Sequence, residues 1–143
     1  MPNTATSILR GMAATIVALA PPAALTTDDK FRVRIGADEH TDGRSYVLEC
    51  NLPVRRLPSR TCNEWQFQVS IEAHYVTAPT DPDTGEVQAY MRLVDDAETI
   101  LAALYDWVAL QDGVQIQPQP GVISLGQNEL IATRTVEVTY TRA

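Results

Sequence analysis

Residues 65–75 constrain the fold of this chain more than any other segment. Trp65, Phe67, Val69, Ile71, Ala73 and Tyr75 alternate with Gln66, Gln68, Ser70, Glu72 and His74. A period of two over eleven residues cannot be a helix, and it gives a strand with one apolar and one polar face. Such a strand belongs in an antiparallel sheet covered on a single side. The rest of the chain must therefore supply neighbouring strands and a covering layer.

Two segments supply the cover. Ile8, Met12, Ile16 and Leu19 recur at helical spacing, which predicts a helix from about Thr4 to Ala20, stopped by Pro21-Pro22. A second helix is predicted from about Val87 to Leu110, with Tyr90, Val94, Ala97, Leu101, Leu104 and Val108 facing the core. Asp83 and Glu86 can form its capping box, and Asp112-Gly113 ends it. The remaining strands are read from alternation in FRVRIGA (31–37), RSYVLECNL (44–52), Val114–Gln117 and Leu130–Thr141. Asp42-Gly43 reads as a turn, and 53–63, PVRRLPSRTCN, as a proline-containing loop. The fold class is α+β: a mostly antiparallel sheet of about five strands, with an N-terminal helix and one long helix packed on one face. With 143 residues and no repeat or composition break, the chain reads as a single domain over residues 1–143.

The N-terminus also resembles a secretory signal, with Arg10 ahead of the apolar run Met12–Ala20. A cleavage after Ala20 would place Pro21 at the first mature position, a poor residue there, and the helical spacing suits core packing. The run is also shorter than the ~20 apolar residues that cross a bilayer, so no membrane anchor is expected. Eighteen acidic residues against 11 basic ones argue against a general nucleic-acid binder. Two cysteines, Cys50 and Cys62, are too few for a disulfide framework and read as two separate thiols, though a hairpin of 44–52 and 64–76 could oppose them.

Sites for chemistry are sparse. His40 and His74 stand apart, without cysteine or carboxylate at ligand spacing, and His74 reads as a solvated residue of the polar strand face. Asp81–Glu86 resembles a calcium loop, but its glycine comes one position early and a turn with a helix cap accounts for it. There is no nucleophile elbow and no phosphate-cradling glycine loop. No catalytic residue, cofactor or metal is assigned, and the chain is expected not to be an enzyme.

Charge placement is the unusual feature. Seven of the 11 basic residues (Lys30, Arg32, Arg34, Arg44, Arg55, Arg56, Arg60) fall within 30–60 of an acidic chain. Ten of the 11 are arginine, the residue suited to bidentate pairing with carboxylates. Segregated charge suits head-to-tail contact between identical copies, which needs two different, complementary patches. Arg55, Arg56 and Arg60 on the 53–63 loop are the candidate basic patch, with Asp95, Asp96 and Glu98 on the outer face of the second helix as candidate partner.

The N-terminal helix, the long strand NEWQFQVSIEAHYVTAP, the helix around DDAETILAALYDWV and the closing strand ATRTVEVTYTR together resemble tail terminator proteins of long-tailed bacteriophages, of the lambda type. The likeness spans nearly the whole chain and rests on diffuse patterns. It implies a virion protein, made in the host cytoplasm, that forms a ring, hexameric by family precedent. That ring would cap the head-proximal end of the tail tube, end polymerisation and join the head–neck complex. Its partners would be itself, the tail tube protein and a neck or head-completion protein. The long Pro/Arg loop and the apolar first helix depart from the family pattern. Other readings are another neck or head–tail joining subunit, and a small exported bacterial binding domain.

Overall fold

The computed structural model describes residues 3–21, 31–36, 45–58, 63–76, 86–126 and 129–142. Its elements are α1 (Ala5–Val17), β1 (Arg32–Ile35), β2 (Ser45–Arg56), β3 (Glu64–Val76), α2 (Glu86–Ala109), β4 (Val114–Pro118), β5 (Val122–Gly126) and β6 (Glu129–Thr141). The six strands form one mixed sheet in the order β1-β2-β3-β6-β4, with β5 also on β6. The fold is α+β, as the alternation patterns predict.

The centre of the sheet is the pair β3 and β6, antiparallel over 13 residues each, from Glu64↔Thr141 to Val76↔Glu129. Phe67 faces Val138 and Val69 faces Val136, and all four are buried under the helices. β4 and β5 lie end to end along the other edge of β6, interrupted at Gln119–Gly121. Pro120 within it and Pro118 just before it prevent one continuous strand, while the Gln119 N–H still donates to the Thr135 carbonyl at 2.8 Å. β5 is a strand the sequence reading lacks.

Two further expectations are corrected. β1 and β2 pair in parallel, Arg32↔Ser45 to Ile35↔Leu48, which a two-residue turn cannot produce. The Asp42-Gly43 turn itself lies outside the described residues. β2 also runs on to Arg56, so Pro53, Arg55 and Arg56 are strand residues rather than loop. The sheet accepts Pro53 because the β2–β3 register shifts between Asn51 and Arg55, and β1 covers only Ser45–Leu48 of β2. Proline is admitted at such bulges and open edges.

Both helices lie on the face that carries Trp65 to Tyr75. Thr4 caps α1: its side chain accepts from the Ser7 N–H, and the Ser7 hydroxyl accepts from the Thr4 N–H. Ile8, Leu9, Met12 and Ile16 enter the core. α1 meets α2 at Gly11, where an added Cβ would collide with the Trp107 ring. Gly11→Val should therefore cost about 1–3 kcal/mol by overpacking, read as a lower denaturation midpoint, and Trp107→Ala should relieve part of that cost. Just past the C-terminus of α2, Gly113 takes φ 72° and its carbonyl accepts from the Thr141 N–H, turning the chain into β4.

α2 is rotated from the expected orientation. Ala89, Leu93, Asp96, Ile100, Leu104 and Val108 are buried, whereas Tyr90 and Val94 are 47% and 40% exposed, and Leu101 is half-buried. Two apolar stripes run side by side on this helix. Residue spacing favours the one without a charge; the structure buries the one containing Asp96, because Tyr75 lies beneath to receive it.

Candidate assembly surfaces

Asp96 is the single buried charged residue among the described ones, at 0% exposure. This corrects its assignment to the outer face of the helix. Its Oδ2 accepts a hydrogen bond from the Tyr75 hydroxyl, and the Tyr46 hydroxyl lies 2.5 Å from that of Tyr75. The Tyr46 and Tyr75 rings meet edge to face at 6.1 Å. The three side chains tie α2 to β2 and β3 through a hydrogen-bonded chain inside an apolar core, so the role of Asp96 is positional. Burial, with Tyr46 and Asp96 nearby, pushes the Tyr75 hydroxyl well above the ordinary tyrosine range. A tyrosine in the unfolded chain ionises near ~10. The folded state thus keeps a proton that the unfolded state releases, and stability should fall as pH rises past ~10, by about 1.4 kcal/mol per pH unit. Denaturation midpoints across that range, with Tyr75→Phe showing a shallower decline, check the sign.

Asp95 and Glu98 are exposed on α2, as expected. Together with Asp106 they line a shallow groove of about 500 Å³ that ends at Leu19, beyond α1. Arg55 and Arg56 are exposed at the far end of β2, opposite Gln66 and Trp65. Arg55 donates from Nε to Gln66 Oε1 at 3.1 Å and also from Nη2, and Gln66 Nε2 donates to Glu137 Oε1 at 2.8 Å. Arg60 and Cys62 lie outside the described residues, as do His40, Asp81–Gly85 and the Asp83 cap. The structure therefore keeps Arg55 and Arg56 on the sheet, and Asp95 and Glu98 on the helix layer.

The sheet face away from the helices continues the polar row. Asn51 and Ser70 bond each other at 2.8 Å. His74 bridges Glu72 and Glu129 at 2.7 and 3.2 Å, so it is a paired residue rather than a merely solvated one. The Glu129 partner arrives through the β3–β6 register and has no signal in local spacing. Among the described residues, no group of three ligating side chains is placed to hold a metal. Cys50 is a free, half-buried thiol whose pKa burial raises.

Sequence reasoning misses the apolar surface. Tyr90, Val94 and Tyr105 stand half-exposed along one flank of α2. Beside them an apolar cavity of about 60 Å³ opens between α2 and β6, lined by Leu101, Ala132 and Val136, with Arg134 as its polar member. The signal is present as the second apolar stripe of α2, which spacing alone assigns to the core. No helix among the described residues is long and apolar enough to cross a membrane. In comparisons with known proteins, the chain matches no family model and no curated sequence.

Proposed function

We propose that this protein is a structural virion subunit that assembles as a ring on the head-proximal end of a phage tail tube. There it stops tail polymerisation and receives the neck or head-completion protein. The observation that carries the reading is the arrangement of the closing strand. β6, at the C-terminal end of the sequence, runs along the centre of the sheet, paired in full with the aromatic-led β3, with both helices on the same face. These are the segments on which the likeness to lambda-type tail terminators rests, and their packing into one sheet under two helices supports the reading. The incorporation of Ile8, Leu9, Met12 and Ile16 into the core supports the virion reading over an exported binding domain, for which residues 1–20 would be a leader. The role proposed is structural, and the mostly apolar pocket beside α2 fits a contact surface.

Tail length tests the reading. Particles assembled without this subunit should carry overlong or unsealed tails, and added purified protein should restore a uniform length. Arg55→Glu with Arg56→Glu and Arg60→Glu should leave the monomer folded and weaken capping in a salt-dependent way. Normal tails without the subunit would remove it from this role.

A further inference from the structure

The exposed apolar side chains sort to opposite ends of the sheet. At the β1 end, α1 packs over β1 and β2. Its exposed row Thr6, Arg10, Val17 follows helical spacing on the side away from Gly11 and Trp107. Val17 is 51% exposed, and Ile35 of β1 is exposed at the same end of the fold. At the β5 end, Tyr90, Val94 and Tyr105 flank the cavity between α2 and β6. Ile123 of β5, opposite Ala132, is exposed on the same face of the sheet. Among the described residues no strand pairs with the outer edge of β1 or with that of β5.

Each end therefore combines a strand edge that no described strand covers with a helix flank that carries exposed apolar side chains, on the same side of one sheet. The edges match in length, four residues in β1 and five in β5. They also match in sense. β1 is parallel to β2, and three antiparallel pairings then lead through β3 and β6 to β5, so β1 and β5 point in opposite directions. Rotating a copy about an axis along the strands brings its β1 antiparallel to the β5 of its neighbour, the pairing that open edges form most readily. The same rotation brings its α1 into the groove beside α2, so both layers continue together. Charge agrees: Arg10 is exposed on α1 at the β1 end, while Glu98 follows Val94 by one turn on α2. We infer that a second copy of this chain docks here head to tail, β1 on β5 and the outer row of α1 on the Tyr90–Val94–Tyr105 flank of α2. The contact is heterologous, as a closed ring requires. It rests on the ring reading above and adds the surfaces that would build the ring.

Two exposed-face variants test it: Val17→Asp at the β1 end, and Val94→Asp with Tyr105→Asp at the β5 end. Thermal midpoints establish that each is folded, and native mass spectrometry with sedimentation gives oligomer mass. The wild type should form a closed oligomer and each variant alone should run as a monomer. An equimolar mixture of the two should form a dimer of one each and nothing larger, because each variant keeps one intact end. If either variant alone still forms the wild-type oligomer, the inference is overturned while the ring reading stands on other surfaces. If the wild type is monomeric at every concentration, the inference is overturned and tail length decides the tail reading separately.

Discussion

Removal of residues 1–18 is expected to leave a chain that does not fold to a soluble monomer. The four α1 side chains Ile8, Leu9, Met12 and Ile16 are all buried, two of them at 0% exposure. At ~1.5–3 kcal/mol for each fully buried aliphatic side chain, their loss amounts to about 6–12 kcal/mol, before any cavity is counted. Whole-domain stability is commonly ~5–15 kcal/mol, so the deletion removes most or all of it. It also uncovers Trp107, Phe31 and the apolar rows of β1 and β2 beneath the helix, a patch large enough to drive aggregation. Expression of the truncated chain, followed by solubility, circular dichroism and mass, reads the result. A soluble, cooperatively unfolding product would mean that α1 is dispensable, as in the exported-domain reading, and would count against the virion proposal.

The same helix shows what is legible in the sequence. A 3.6-residue period in residues 5–17 and a 2-residue period in 65–75 come from chain geometry, and both elements stand where that geometry predicts. β6 is legible for the same reason. What stays hidden depends on long-range pairing. Pro53 reads as a loop residue because nothing local reveals that β1 is too short to cover this part of β2. β5, five residues between Gly121 and Gly126, has too few alternations to rise above a turn. On α2, Leu93 and Ile100 lie beside Val94 and Leu101, so two rotations are almost equally apolar. Only the position of Tyr75 in three dimensions decides between them.

The candidate surfaces divide in the same manner. Asp95 and Glu98 are exposed because α2 keeps its outer face whichever apolar stripe is buried. Asp96 belongs to the stripe that the structure buries and moves inward with the rotation. Arg55 and Arg56 keep their exposure despite joining a strand, since the end of β2 beyond Leu48 has no further strand on its outer side among the described residues. Sequence reading thus recovers charge segregation but places the interface by charge alone. The apolar flank of α2 and the two strand edges that no described strand covers become apparent only once the sheet order is known.

Tyr75→Phe is expected to be the most damaging single-atom change in the protein, costing about 3 kcal/mol. The Phe ring fills the same space, so no cavity forms. What is lost is one of the hydrogen bonds of a buried carboxyl group, along with the Tyr75 contact of the Tyr46 hydroxyl. Leaving buried polar groups short of partners costs ~1–3 kcal/mol, and an acceptor carboxyl puts this case at the upper end. Asp96→Ala should be similarly costly, for it removes the acceptor of the Tyr75 hydroxyl from the core. The combination Tyr46→Phe, Tyr75→Phe and Asp96→Leu should instead recover part of the loss, because it removes the donors and acceptors of this hydroxyl–carboxyl chain together. Strong non-additivity of this kind separates a coupled network from three independent contacts. Urea denaturation of the singles and the triple measures it. Single and triple variants that fall on one additive line would show that the hydroxyl–carboxyl chain does not decide the rotation of α2, leaving the packing of Leu93, Ile100 and Leu104 to do so.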